Sequence, residues 1–74
     1  MAEPVHKKIE VVGTSSESYA QATRNAVKKA AGSVRNLEWF EVVEQRGAID
    51  GDQVRQFQVT LKIGFTIDDA NIGA

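Results

Sequence analysis

The residue in this sequence best suited to hold a ligand is its single tryptophan. Trp39 sits in the run Glu38-Trp39-Phe40-Glu41. An indole offers a broad flat π-surface, and stacking a planar heterocycle on it is worth about 1 to 3 kcal/mol per ring system. The competing reading is a strand tryptophan packed into a subunit interface or capping the core, and on composition alone that reading is the stronger. Strict alternation places Gln45, Gln56 and Gln58 on the Trp39 face. A carboxamide carries an acceptor and two donors and so matches the mixed polar edge of such a heterocycle, with Gln58 the best placed of the three. The plain alternative is a solvated or interface-facing glutamine. Arg46 can offer a bidentate fork to a phosphate or stack on a ring, or simply pair with Glu44. Alternation puts it opposite Trp39, so a bulge at Gly47 or a neighbouring subunit has to bring the two together.

Other polar groups read as structural. Thr14-Ser15-Ser16 precedes a helix and could receive an anion at free amides, but the Thr14-x-x-Glu17 spacing is that of a capping box, which fills the site itself. His6 reads as a half-exposed strand side chain, and Lys7 and Lys8 are too few for a nucleic-acid groove. The sequence has no cysteine and one histidine, and no Gly-rich phosphate loop. Glu41 has the opposite strand parity to Glu38 and Glu44. These absences point to a binding protein and not to an enzyme.

The elements that must position Trp39 follow from periodicity. Val5 to Val12 alternates as a strand that Gly13 ends. The capping box starts a helix over about 15–34, with Tyr19, Ala22, Thr23, Ala26, Val27, Ala30 and Val34 on one stripe. An alanine stripe lets a helix axis approach a sheet closely. Leu37 to Ile49 is a long strand, and Asp50-Gly51 is the kind of dipeptide a two-residue type I′ hairpin turn requires. The last strand covers about 53–67, with Phe57, Val59, Leu61, Ile63, Phe65 and Ile67 on its core face. That turn would set Phe40 against Leu61, Val42 against Val59, Trp39 against Lys62, Glu41 against Thr60 and Val43 against Gln58.

The chain of 74 residues is one domain of the α+β class, a β-α-β-β unit ordered over about 4–68 with a loose tail at 69–74. One helix covers one sheet face, so the face bearing Trp39 needs another partner, either an oligomer interface or a ligand. With neither disulfide nor thiolate metal site available, a chain this short has a physical reason to self-associate. Nine Lys and Arg against ten Asp and Glu disfavour nucleic acid as a partner. No apolar run is long enough for a bilayer span and no signal-peptide pattern opens the chain, so a cytoplasmic location is expected.

Four segments in order carry a family resemblance over nearly the whole chain: Val5-x-Lys7-Lys8-Ile9-Glu10-x-Val12-Gly13-Thr14-Ser15, Val34-Arg35-Asn36-Leu37-Glu38-Trp39-Phe40-Glu41-Val42, Gln45-Arg46-Gly47, and Phe57-Gln58-Val59-Thr60-Leu61-Lys62-Ile63-Gly64-Phe65. Together they resemble the dodecins, small flavin-binding proteins, and in particular the bacterial branch. The resemblance implies a three-stranded antiparallel sheet partly wrapping the helix, assembled as a hollow homododecamer with trimeric and two-fold contacts. It implies flavins bound in pairs between tryptophans of two subunits at the Trp39 position, with Gln58 at the isoalloxazine edge and Arg46 at the flavin. The implied ligand is FMN, with riboflavin or FAD as further candidates, and the implied role is storage, sequestration and quenching of a photoreactive cofactor. Coenzyme A binding occurs in some members. Thr66 departs from the bacterial pattern, which commonly has arginine there, so a coenzyme A contact or inter-subunit ion pair from that position does not carry over. The alternative reading is a small structural interaction module without a cofactor.

Overall fold

The computed structural model describes residues 3–68. Four elements follow one another: β1 (His6–Ser15), α1 (Tyr19–Ala31), β2 (Leu37–Asp50) and β3 (Gln53–Thr66). The strands form one antiparallel sheet in the order β1-β3-β2, so the last strand is central and the first two are edges. This is the α+β architecture that the pattern predicted. No helix among the described residues is long and apolar enough to cross a membrane. The expected loose tail at 69–74 lies outside the described residues.

The central strand explains the core. Val59, Leu61, Ile63 and Phe65 alternate along β3 and are 0–1% exposed, with a strand on each flank, and the first three pack with the helix alanines. Ala22, Ala26 and Ala30 are the buried residues of the helix. Small side chains let α1 settle onto β1, and Gly13 completes that fit. A Cβ at Gly13 would lie 2.1 Å from the Ala22 carbonyl oxygen and 2.7 Å from the Ala26 Cβ. Gly13 therefore does not end the first strand; it is paired with Val59 inside it, where the helix needs bare backbone.

The helix starts later than the capping-box reading placed it. Thr14 and Ser15 are still in the strand ladder, paired with Gln58 and Phe57, so their backbone is extended and cannot open a helix. The Ser15 Oγ instead accepts from the amides of Glu17 and Ser18 at 2.9 and 3.4 Å. Ser18 is the N-cap, its Oγ accepting from the Gln21 amide at 3.0 Å. At the other end α1 stops at Ala31, short of Val34, and the amides of Ser33 and Val34 both donate to the Ala30 carbonyl.

The hairpin turn is Gly51-Asp52, one residue beyond the expected pair, with Asp50 opposite Gln53. Of the two turn residues only Gly51 has positive φ, at 65°, and glycine first is the arrangement of type II′ turns. Pairings consequently move by two residues near the base of the hairpin: Phe40 opposes Ile63, Val42 opposes Leu61, Trp39 opposes Gly64 and Glu41 opposes Lys62. An even shift leaves each of these side chains on its expected face. A β-bulge between Val42 and Glu44 then leaves Val43 without a partner, so its expected pairing with Gln58 does not form.

The helix packs on β1 and β3, leaving β2 thinly covered. Phe40 and Val42 face the helix side of the sheet yet are each 49% exposed.

Candidate functional site

On the side of the sheet away from α1, the Trp39 indole lies over Gly64. A Cβ on Gly64 would come within 2.4–2.6 Å of the indole atoms Cε2, Cζ2 and Cη2. Three consecutive ring atoms nearly equidistant from one point place that point against a ring face, so the absent side chain of Gly64 is the seat of the indole. The ring lies down on the sheet and keeps its outer surface available; Trp39 is 40% exposed. The His6 ring meets it edge-on at 5.1 Å with the planes 66° apart.

The polar edge of the indole is fixed as well. Its Nε1–H donates to the Glu41 Oε2 at 2.9 Å. The Lys8 ammonium donates to both oxygens of the same carboxylate at 3.1 and 3.3 Å. First the indole N–H and then the Lys8 ammonium hold the Glu41 carboxyl below its ordinary value. Nearby, the Thr66 hydroxyl donates to the Glu38 Oε2 at 2.6 Å.

Further along the sheet, Arg46 and Gln58 oppose one another on β2 and β3. Strict alternation placed Arg46 on the opposite face from Trp39 and looked to Gly47 for a bulge. The bulge sits at Val43 instead, and the extra residue turns every later side chain of β2 over. Arg46 thereby shares the Trp39 face, as do Glu41 and Glu44. The same flip carries Gln45 off that face, to stand opposite Val59 on the core side. Gln58 donates from Nε2 to the Gln56 Oε1 at 2.8 Å.

Trp39 and the Arg46–Gln58 pair are not neighbours within one chain. Gly64 and Gln58 are six residues apart on β3, roughly 20 Å at about 3.3 Å per residue. A single flat ligand on the indole reaches the other pair only if a second copy presents it. Among the described residues, no three His, Cys, Asp or Glu side chains converge as a metal site.

The sequence reading missed Gly64, Glu41 and Lys8. The legible signal was Gly64, a glycine inside an otherwise regular strand, which marks a place where something approaches the backbone closely. Gly64→Ala is expected to keep the fold and lift the indole off the sheet, since the clash is with a side chain that can rotate. A red shift in emission of the sole tryptophan, with unchanged far-UV circular dichroism, is the check; unaltered emission would mean the indole does not rest there.

The chain is thus a small α+β unit with its helix on one side of an antiparallel sheet and an indole laid on the other. The chain belongs to the dodecin family: the Dodecin family model matches residues 5–68. It is 43% identical over 65 residues to the dodecin of Thermus thermophilus, covering 88% of this chain and 94% of that protein. The solved dodecin of Streptomyces coelicolor superposes with a TM-score of 0.88 at 45% identity, over 93% of this chain and 99% of that one. It is also 33% identical over 66 residues to a protein of Mycobacterium tuberculosis named calcium dodecin, covering 89% and 93% of the two chains.

Proposed function

We propose that this chain is a non-enzymatic flavin-binding protein of the cytoplasm that stores or sequesters FMN, with riboflavin or FAD as further ligands, in a homododecamer. The observation that carries the reading is the indole seated on Gly64 with its outer face open. Such a surface is shaped for a flat heterocycle, and a second indole from a two-fold related copy would close the sandwich. A flavin held there supplies a photoreactive ring system that contact with an electron-rich indole quenches. Gln58 would hydrogen-bond the isoalloxazine edge, and Arg46 would meet the flavin from the neighbouring copy, which accounts for their distance from Trp39 in one chain.

Self-association is supported by apolar surface that one chain leaves open. Phe40 and Val42 at 49%, Val12 at 60%, Val54 at 56% and Ile49 at 74% are large hydrophobic residues in contact with water. Coenzyme A is a further candidate ligand, to which Thr66, bonded to Glu38, supplies no arginine contact.

Mass action supplies the test. A ligand at 100 times its Kd stabilises the state that binds it by about 2.7 kcal/mol. Added FMN is expected to raise the melting temperature by several degrees and to leave a native mass of twelve chains carrying flavin. A chain that stays monomeric, with a melting temperature indifferent to FMN, overturns the reading. A rise with calcium and none with FMN would favour the chemistry in the name of the Mycobacterium tuberculosis relative, and a colourless assembly indifferent to both, the structural module.

A further inference from the structure

We propose that Glu41 is a positioning residue that fixes the pose of the Trp39 indole before any ligand arrives, and that Lys8 holds Glu41 in place from the opposite edge strand. The inference rests on the reading of Trp39 as a stacking platform and adds how that platform is kept in register. A side chain 40% exposed on a sheet surface has several rotamers open to it. Gly64 gives the ring room but imposes no rotation on it, and an edge-on contact with His6 at 5.1 Å tolerates sliding. Only the hydrogen bond from Nε1 to Glu41 is directional enough to choose one rotation.

Glu41 alone would be a poor anchor, because its side chain is long and solvated. Lys8 corrects this by holding both carboxylate oxygens. The geometry is unusual in spanning the sheet: Lys8 is on β1 opposite Gly64, Glu41 is on β2 opposite Lys62, and the pair closes over β3. Any side chain at position 64 would stand in that path, so one glycine serves both the ring and its brace. A pre-oriented platform loses less freedom on stacking and so binds more tightly.

The brace has a predictable pH sense. The charged groups facing it are Lys8 and Glu10 from β1, Lys62 from β3, and Glu38 and Glu44 from β2, with His6 against the ring. The pKa of the Glu41 carboxyl is lowered in the fold, chiefly by the indole N–H and then by Lys8. The hold is therefore complete above the ordinary value of 4.5 and is lost as pH falls through the lowered value, below 4.5.

The test uses the assembled protein, first without ligand and then with FMN. Because the chain has one tryptophan, its emission and anisotropy report the indole directly. Glu41→Ala is expected to lower the anisotropy and to weaken FMN binding by roughly three- to tenfold, the range of one lost hydrogen bond. Glu41→Gln can still accept from Nε1 but carries no charge, so it should bind FMN better than Glu41→Ala and lack the acid transition in emission expected of the native protein below pH 4.5. Native mass taken alongside confirms that the assembly persists through the titration. Anisotropy and FMN affinity unchanged in Glu41→Ala, or the same acid transition in Glu41→Gln, overturn the proposal. Should the native protein bind no FMN, the stacking reading fails, and the emission measurements still decide whether Glu41 orients the indole.

Discussion

Trp39→Ala is expected to weaken flavin binding by at least tenfold and to restore flavin fluorescence, while the assembly keeps its native mass. The magnitude follows from stacking at about 1 to 3 kcal/mol per ring system, where each 1.4 kcal/mol is a factor of ten. A sandwich closed by two indoles loses both at once, since every copy carries the substitution. The fold survives because the indole lies outside the core: Val59, Leu61 and Ile63 are on the other side of the sheet, packed with the alanines of α1. Spectral titration with FMN beside the native protein reads the affinity. Equal affinity and equal quenching in the variant would remove Trp39 from the site.

The largest expected effect on stability comes from the other side of the sheet. Gly13→Ala should cost on the order of 3 kcal/mol, the upper range for overpacking a close-packed interior. Its Cβ meets the Ala22 carbonyl oxygen at 2.1 Å, and backbone cannot rotate away as a side chain can. Relief requires α1 to withdraw from β1, which opens gaps around Ala22 and Ala26. Denaturant unfolding of the variant and native proteins at equal chain concentration is the check. A midpoint unchanged by the methyl group would show that helix and strand are not in contact at Gly13. Gly64→Ala makes a useful contrast, because there the same added methyl strikes a movable ring and should disturb emission more than stability.

Much of this was legible in the residues. The order of elements, the alanine stripe of the helix and the core face of β3 follow from periods of 3.6 and two, which tertiary packing here reinforces. Trp39 was correctly separated from the core for the same reason. What periodicity does not carry is a change of phase. The bulge at Val43 contains neither glycine nor proline, and it alone decides that Arg46 joins the Trp39 face and that Gln45 leaves it. The hairpin turn was displaced because Asp50-Gly51 and Gly51-Asp52 both place a glycine where positive φ is needed, and only strand pairing chooses between them. Gly13 was misread because glycine marks both chain breaks and close approaches. Only the position of α1 separates the two, and strand periodicity does not report where the helix lies. Thr14 was read as the cap and Ser18 is the cap, because Thr14 is still engaged in the β1 ladder.

Gly64 and Glu41 illustrate the limit more sharply. The glycine marks a close approach without saying of what, the carboxylate carries no such signal, and each matters only because of what rests on it. The glycine becomes a seat once Trp39 is set opposite it, and the carboxylate becomes a brace once Lys8 arrives from a strand 33 positions earlier in the chain. Contacts of that kind are set by register across three strands, which composition and local spacing do not encode.

Flavin fluorescence, followed while native protein is added to a fixed amount of FMN, measures whether the exposed ring on the uncovered side of the sheet is a flavin platform. Steep loss of emission to a sharp end point at a constant ratio of flavin to chains is the predicted result. Emission that stays at the level of free FMN throughout, with the protein folded and assembled, would contradict it.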